Sequence, residues 1–312
     1  MRHIFARLTA VGLLALAASQ GSRVRGEESG NRGQELVAEA ARRLQAEKAL
    51  SAELRYRIDA YGHQLIGAGN YLQWGAGPER LLKLELQMRV GNRPATLQEV
   101  RGDDFYWVRR DVPPQPPSLW RVNLRQLRDS VGRPIGEAAS DVLPQGAWIM
   151  LGGLPQLLAS LEQNFAFDTP REDELQFRAA DGQSVERVAV WTVAGRWKPE
   201  RLAALTGRDT NKKSDLPEQL PEKVELVLGR TDAIPPLFPC RITYWQAPGV
   251  GSGRIARSAN SAPRELLTLD LFHVDRQAKI DRGQFLFNPG ELDVEDRTAR
   301  YIQRLSGASK LR

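Results

Sequence analysis

Between Arg80 and Val90, the residues Leu82, Leu84, Leu86, Met88 and Val90 alternate with Lys83, Glu85, Gln87 and Arg89. Side chains two apart along a strand share a face, whereas a helix would scatter these residues around its circumference. The stretch therefore reads as a strand with one apolar and one polar face, the mark of an antiparallel sheet that is dry inside and wet outside. Burying each such side chain contributes roughly 1.5–3 kcal/mol, and a slip of one residue would move all five into water, so the register is strongly specified.

The flanking sequence extends this pattern into a meander. An amphipathic helix is predicted from Gly33 to Leu50, with Leu36, Val37, Ala40, Ala41 and Leu44 on its apolar side and a capping box between Asn31 and Gln34. Ser51 to Tyr61 has period two, with Leu54, Tyr56, Ile58 and Ala60 on one face. Leu65 to Trp74 is the next strand, where Gly67 and Gly69 suggest a bulge or bend. After Arg80–Val90 come a turn at Gly91–Pro94, a strand from Ala95 to Arg101, a turn at Gly102–Asp104 and a strand from Phe105 to Arg109. Val112 to Pro117 contains four prolines, which lack the amide donor, so it is read as a stiff connector.

Further strands are predicted at Leu119–Leu124, Leu175–Ala180, Ser184–Trp197, Lys223–Gly229, Cys240–Gln246 and Glu265–His273. Helices are predicted at Lys198–Leu205 and from an Asp296 cap to Leu305. In Trp148–Phe165, Leu154, Leu157, Leu158 and Leu161 have helical spacing after Pro155, and Gly152 and Gly153 precede them as a hinge. A lid over the open side of the sheet is the expected role. Gly207–Pro221 and Ala247–Pro263 are loops rich in polar or small residues.

The first residues carry Arg2 and Arg7, an apolar run from Leu8 to Ala18 and small residues up to Ser19, the order of a Sec-type signal peptide. Residues 1–19 are thus expected to be removed, 20–32 to form a flexible leader, 33–305 a single domain with loop insertions and 306–312 a flexible tail. The single cysteine, Cys240, lies far from the leader, so no lipobox cysteine is present and no internal disulfide can form. Periplasmic or secreted localisation follows, with no transmembrane segment expected. Net charge is +6, or +4 without Arg2 and Arg7, a mild bias in a chain of 312 residues. Nucleic acid is a poor partner for an exported chain.

The residue types that catalysis needs are not assembled anywhere. His63 and His273 have no metal-ligand spacing with each other or with Cys240. Phe238, Cys240, Ile242 and Tyr244 alternate on one strand face, which makes Cys240 a core residue rather than a nucleophile paired with His273. No dinucleotide fingerprint, phosphate loop or nucleophile elbow is present. The chain is not expected to be an enzyme, to hold a metal or to carry a cofactor.

The N-terminal helix, the meander from Leu54 to Arg109 and the turn-to-strand run Gly102-Asp103-Asp104-Phe105-Tyr106-Trp107 resemble the lipoprotein-carrier-like (LolA/LolB/LppX-like) group of exported bacterial proteins. The resemblance implies a mainly antiparallel β fold with packed helices (α+β): a curved, half-open β-barrel with an N-terminal helix and a helical lid. It also implies a carrier or sensor that takes a hydrophobic ligand, a lipid or an acylated protein, on the concave face. The candidate lining is Leu54, Tyr56, Ile58, Leu82, Leu84, Leu86, Met88, Val90 and Trp107, and the candidate lid is Leu154, Leu157, Leu158 and Leu161. The same lining suits a filled core, so an envelope structural or interaction module without a ligand stays open as the alternative.

Overall fold

The computed structural model describes residues 32–60, 63–131, 148–178, 185–206, 220–230, 235–246 and 263–309. The expected signal peptide, nearly all of the leader and most of the two expected loops lie outside these residues. Among the described residues no helix is long and apolar enough to cross a membrane.

The alternating patterns become β1 (Ala49–Ala60), β2 (His63–Trp74), β3 (Leu81–Val90), β4 (Arg93–Arg101), β5 (Phe105–Asp111) and β6 (Ser118–Asn123), a meander of antiparallel neighbours. Arg93 and Pro94 pair with Val90 and Arg89, so the β3–β4 turn contains only Gly91 and Asn92. Gly91 takes the left-handed backbone, φ 62°, that so tight a turn requires at its first position. A second run of strands, β9 (Val185–Trp197), β10 (Lys223–Gly229), β11 (Pro239–Gln246) and β12 (Arg264–Asp275), joins the first where β12 pairs with β1. β7 (Phe165–Phe167) and β8 (Arg171–Arg178) both pair with β9. At the other end β13 (Val294–Asp296) runs parallel to β6. The result is one curved, unclosed sheet of thirteen strands with helices packed against it, antiparallel apart from that edge pair.

The helices are α1 (Arg32–Ala46), α2 (Leu124–Val131), α3 (Trp148–Leu151), α4 (Leu154–Asn164), α5 (Pro199–Thr206) and α6 (Thr298–Ser309). α1 buries Val37, Ala40 and Leu44, and packs on α4. Asn31, the other half of the expected capping box, lies outside the described residues, and Gln34 makes other contacts. Its Nε2 donates to the Glu162 carbonyl at 2.6 Å and to Glu162 Oε1 at 2.9 Å, and its Oε1 accepts from the Phe167 amide. Gln34 is thus spent on a tertiary contact that joins α1, α4 and β7. α2 falls in a stretch that has no clear period, and α6 continues past the expected Leu305 end into the expected tail.

Leu81 and Leu82 are both buried, although adjacent strand residues point to opposite faces. Leu82 belongs to the main core, which runs from Val37 through the concave face to Leu305. Leu81 belongs to a small second core on the outer face, where Val100 and Phe285 are buried with it and Leu72, Trp107, Ile280 and Phe287 pack around them. The chain after β12 supplies this cover through a 3-10 turn at Arg282–Phe285, whose Gly283 amide donates to Asp281 Oδ1. The outer face is therefore not wet throughout: at this end of the sheet both faces are dry.

Gly67 and Gly69 do not mark a bulge, because β2 keeps unbroken register with both β1 and β3. They mark close approach. A Cβ on Gly69 would lie 1.7 Å from the Glu85 carbonyl oxygen, and one on Gly67 would lie 2.7 Å from Met88 Cγ. The irregular step in this region lies between Ser51 and Glu53, opposite β12.

Candidate functional site

Inward-facing residues of neighbouring strands line up in rungs across the sheet. One rung runs Leu271, Leu54, Gly69, Leu86, Leu97, Arg110, Ser118. The rung on one side of it runs Leu269, Tyr56, Gly67, Met88, Ala95. On the other side the run is Tyr71, Leu84, Glu99, Val108, Trp120. Two adjacent rungs thus have glycine at the β2 position. The positions that their Cβ atoms would take are occupied by β3, by the Glu85 carbonyl at Gly69 and by the Met88 side chain at Gly67, so β2 and β3 pack closely there.

On the concave side lies a cavity of about 580 Å³. Its floor is Leu54, Tyr56, Ile58, Leu65, Leu84, Leu86, Met88, Leu97 and Leu269, and Trp120 and Trp148 add aromatic walls. Val112, Gln115 and Pro116 of the proline connector also line it, with Ser118 at the start of β6. The connector is more than a spacer, since it forms part of the rim. Arg110, Arg297, Arg300 and Glu99 supply the charged end.

Glu99 is buried in this wall, and the Tyr106 hydroxyl donates to its Oε2 at 2.6 Å. Burial pushes its carboxyl up to about 7, against the opposing pull of the Tyr106 hydrogen bond and the Arg110 charge. Tyr56, Tyr106 and Tyr301, which share this electrostatic neighbourhood, are held above the ordinary phenol range by burial first and by Glu99 as well. A carboxyl raised above its unfolded value contributes stability below about pH 4.5 that is lost as pH rises through 7. Glu99→Gln keeps an acceptor for Tyr106 and removes the titration. Its melting temperature should vary less than the wild type's between pH 5 and 8, and at pH 8 the variant should be more stable by roughly 3 kcal/mol. Parallel melting curves for the two proteins would contradict the buried carboxyl.

Of the nine residues expected to line a ligand site, the structure places six in the lining of this cavity: Leu54, Tyr56, Ile58, Leu84, Leu86 and Met88. Leu82 is completely buried and packs under Gly153 instead. Val90 lies at the end of β3, outside the lining. Trp107 is on the outer face, stacked on Phe287 with ring centroids 5.1 Å apart, and Tyr106 and Val108 take the inward positions of β5. Both faces of β5 are apolar here, so the side of the strand that faces inward cannot be read from hydrophobicity.

The four lid leucines are buried, yet none lines the cavity; Trp148 of α3 does. The expected hinge at Gly152 and Gly153 is contacted from two sides. Tyr71 Oη accepts the Leu154 amide at 3.2 Å and donates to Gln73 Oε1 at 2.9 Å, and Arg80 Nη1 reaches the Gly152 carbonyl at 3.5 Å. Arg80 also donates to the Gln45 carbonyl at 2.8 Å, tying the glycine pair to the end of α1.

The missed residues, Glu99 and Arg110, carried a signal. Alternation places Glu99 on the side of Leu97, and Arg110 on the side of Tyr106 and Val108. Arg297 and Arg300 carried none, since they reach the cavity only through the path of the chain after β12. Cys240 is a core residue, its thiol pushed up to about 12 by burial, and His273 pairs with Glu53 at 3.2 Å. Among the described residues no group of three or more His, Cys, Asp or Glu side chains is placed to hold a metal ion.

No family model and no curated protein matches this chain. Similar solved structures include a DUF1329 family protein from Desulfovibrio piger, 10% identical, with a TM-score of 0.30 over 82% of this chain and 98% of that one. A domain from Vibrio parahaemolyticus described as an outer membrane lipoprotein-sorting protein is 12% identical, with a TM-score of 0.23 over 81% and 95%. A LolA superfamily protein from Nitrosomonas europaea is 11% identical, with a TM-score of 0.26 over 81% and 97%. TM-scores this low carry no argument about the chain, whose site is read from its own geometry.

Proposed function

We propose that the chain is a non-enzymatic, exported carrier or sensor that holds a hydrophobic molecule, a lipid or the acyl part of an acylated protein, in the concave cleft. The observation that carries this reading is the cavity of about 580 Å³ on the concave face, with its leucine-rich floor. A core built only for stability fills such space, because native interiors pack to crystal-like density. The volume falls within the roughly 300–1,000 Å³ of small-molecule sites, and is about four times that of an engineered apolar cavity that stays dry and binds benzene. The basic start at Arg2 and Arg7 and the apolar run Leu8–Ala18 support export.

Titration of the delipidated protein with an environment-sensitive fluorescent fatty acid tests the reading. The wild type should take up the probe. Met88→Trp combined with Leu97→Trp, which fills the cleft from its floor, should stay folded and bind at least about tenfold more weakly. Organic extracts of protein as purified should contain lipid. A wild type that yields no lipid and binds no probe would instead be an envelope module with a functionally filled core.

A further inference from the structure

The charge at the cleft is lopsided. Three arginines line it, while Glu99 is its single acidic lining residue among those described, and that carboxyl is engaged by the Tyr106 hydroxyl. Arg110 follows Leu97 directly in the rung that crosses Leu54, Gly69 and Leu86, so the rung passes from apolar floor to guanidinium without interruption. Arg297 lies over the Trp120 ring at 4.8 Å, beside the same end of the cleft. It pairs outward with Glu295, and its Nε is buried without a hydrogen-bond partner among the described residues. Arg110 is half-buried and Arg300 exposed, and neither has an ion-pair partner among the described residues. A half-buried guanidinium beside an apolar space gains most from an anion that brings its own apolar body.

We infer that the cleft selects amphiphiles with an anionic head, a carboxylate or a phosphate, whose tail lies along the leucine rung and whose head is held among Arg110, Arg297 and Arg300. The inference rests on the hydrophobic-ligand reading and adds a polarity to it: the tail points toward β1 and the head toward β5 and α6. Arginine suits both head groups, because its planar fork gives two parallel charge-assisted bonds to either oxyanion.

Displacement of a neutral, uncharged fluorescent hydrocarbon probe separates the two claims. Hexadecanoate, hexadecyl phosphate, methyl hexadecanoate and hexadecyltrimethylammonium share a tail and differ at the head. Hexadecanoate, the phosphate or both should displace the probe at least about tenfold more tightly than the methyl ester, with the cationic amphiphile weakest. A preference for the carboxylate points to a fatty acid, and one for the phosphate to a phospholipid-type head. Arg110→Gln with Arg300→Gln should bring both anions to the level of the ester, with a wild-type circular dichroism spectrum showing that the variant is folded. Equal affinity of the wild type for both anions and the ester would overturn the head-group inference while the cleft reading stands. If the neutral probe itself does not bind, the cleft reading fails with it.

Discussion

Gly69→Ala should prevent the native sheet from forming. The added Cβ would sit 1.7 Å from the Glu85 carbonyl oxygen, and that oxygen belongs to the β3 backbone, which cannot turn away as a side chain could. Relief requires β2 and β3 to separate along the ladder from Ile66–Arg89 to Trp74–Leu81. The expected cost exceeds about 4 kcal/mol, the upper tail for point substitutions and a large share of the ~5–15 kcal/mol that holds a domain together. The neighbouring Ala68→Val is the control. Ala68 is exposed on the opposite face, and a β-branched residue suits a strand, so its melting temperature should change little. A Gly69→Ala protein that melts within a few degrees of wild type would show that the two strands do not approach so closely.

Leu82→Asp should be comparably severe. Leu82 has no exposed surface, lies in the main core and touches neither the cleft nor solvent. The substitution loses roughly 1.5–3 kcal/mol of burial and adds several kcal/mol for an unpaired carboxylate, or for the proton it must take up. Lys83→Ala, on the other face, loses a half-buried pairing with Glu85 at 3.0 Å and should stay within about 1 kcal/mol of wild type. Circular dichroism and urea titration of both variants decide the point, and similar curves would mean that the alternation on β3 has been assigned to the wrong faces.

The parts of the fold that were legible in the sequence are those set by short-range periodicity. β3 was readable because every second residue is apolar and the others are charged or polar, and β10 was found at its true ends for a related reason, a compact apolar run between turn signals. Trp107 shows where such reasoning stops. Phe105 and Trp107 are as apolar as Tyr106 and Val108, because a segment about 180 residues downstream covers the outer face, and no local pattern reports that cover. β7 and β13 were missed for a different reason: each is three residues long and owes its strand geometry to a partner edge rather than to its own sequence.

The site was legible in outline only. Leu54, Tyr56 and Ile58, and Leu84, Leu86 and Met88, could be placed on one face each, and the two faces turn out to be the same floor. The space above them could not be read, since a void is what remains after all other volumes are placed. The glycines at 67 and 69 suggested a bulge or bend. Their partners on β3 were needed before they could be understood as points of close approach between the strands.

The pairing of β1 with β12 sets an order on folding. Leu54 and its partner Leu271 are about 200 residues apart in the chain, so this seam closes a long loop, whereas the strands of the meander from β1 to β6 pair with their neighbours in sequence. The meander can collapse first, but β1 then presents a bare twelve-residue edge. Unpaired edges of that length recruit other strands. The outer side of β1 carries Glu53, Arg55, Arg57 and Asp59, a row of four charges with two arginines between two carboxylates, which opposes register-free pairing until β12 arrives. The seam between the two halves of the sheet is therefore the point at which a slowed or truncated chain turns from folding to aggregation.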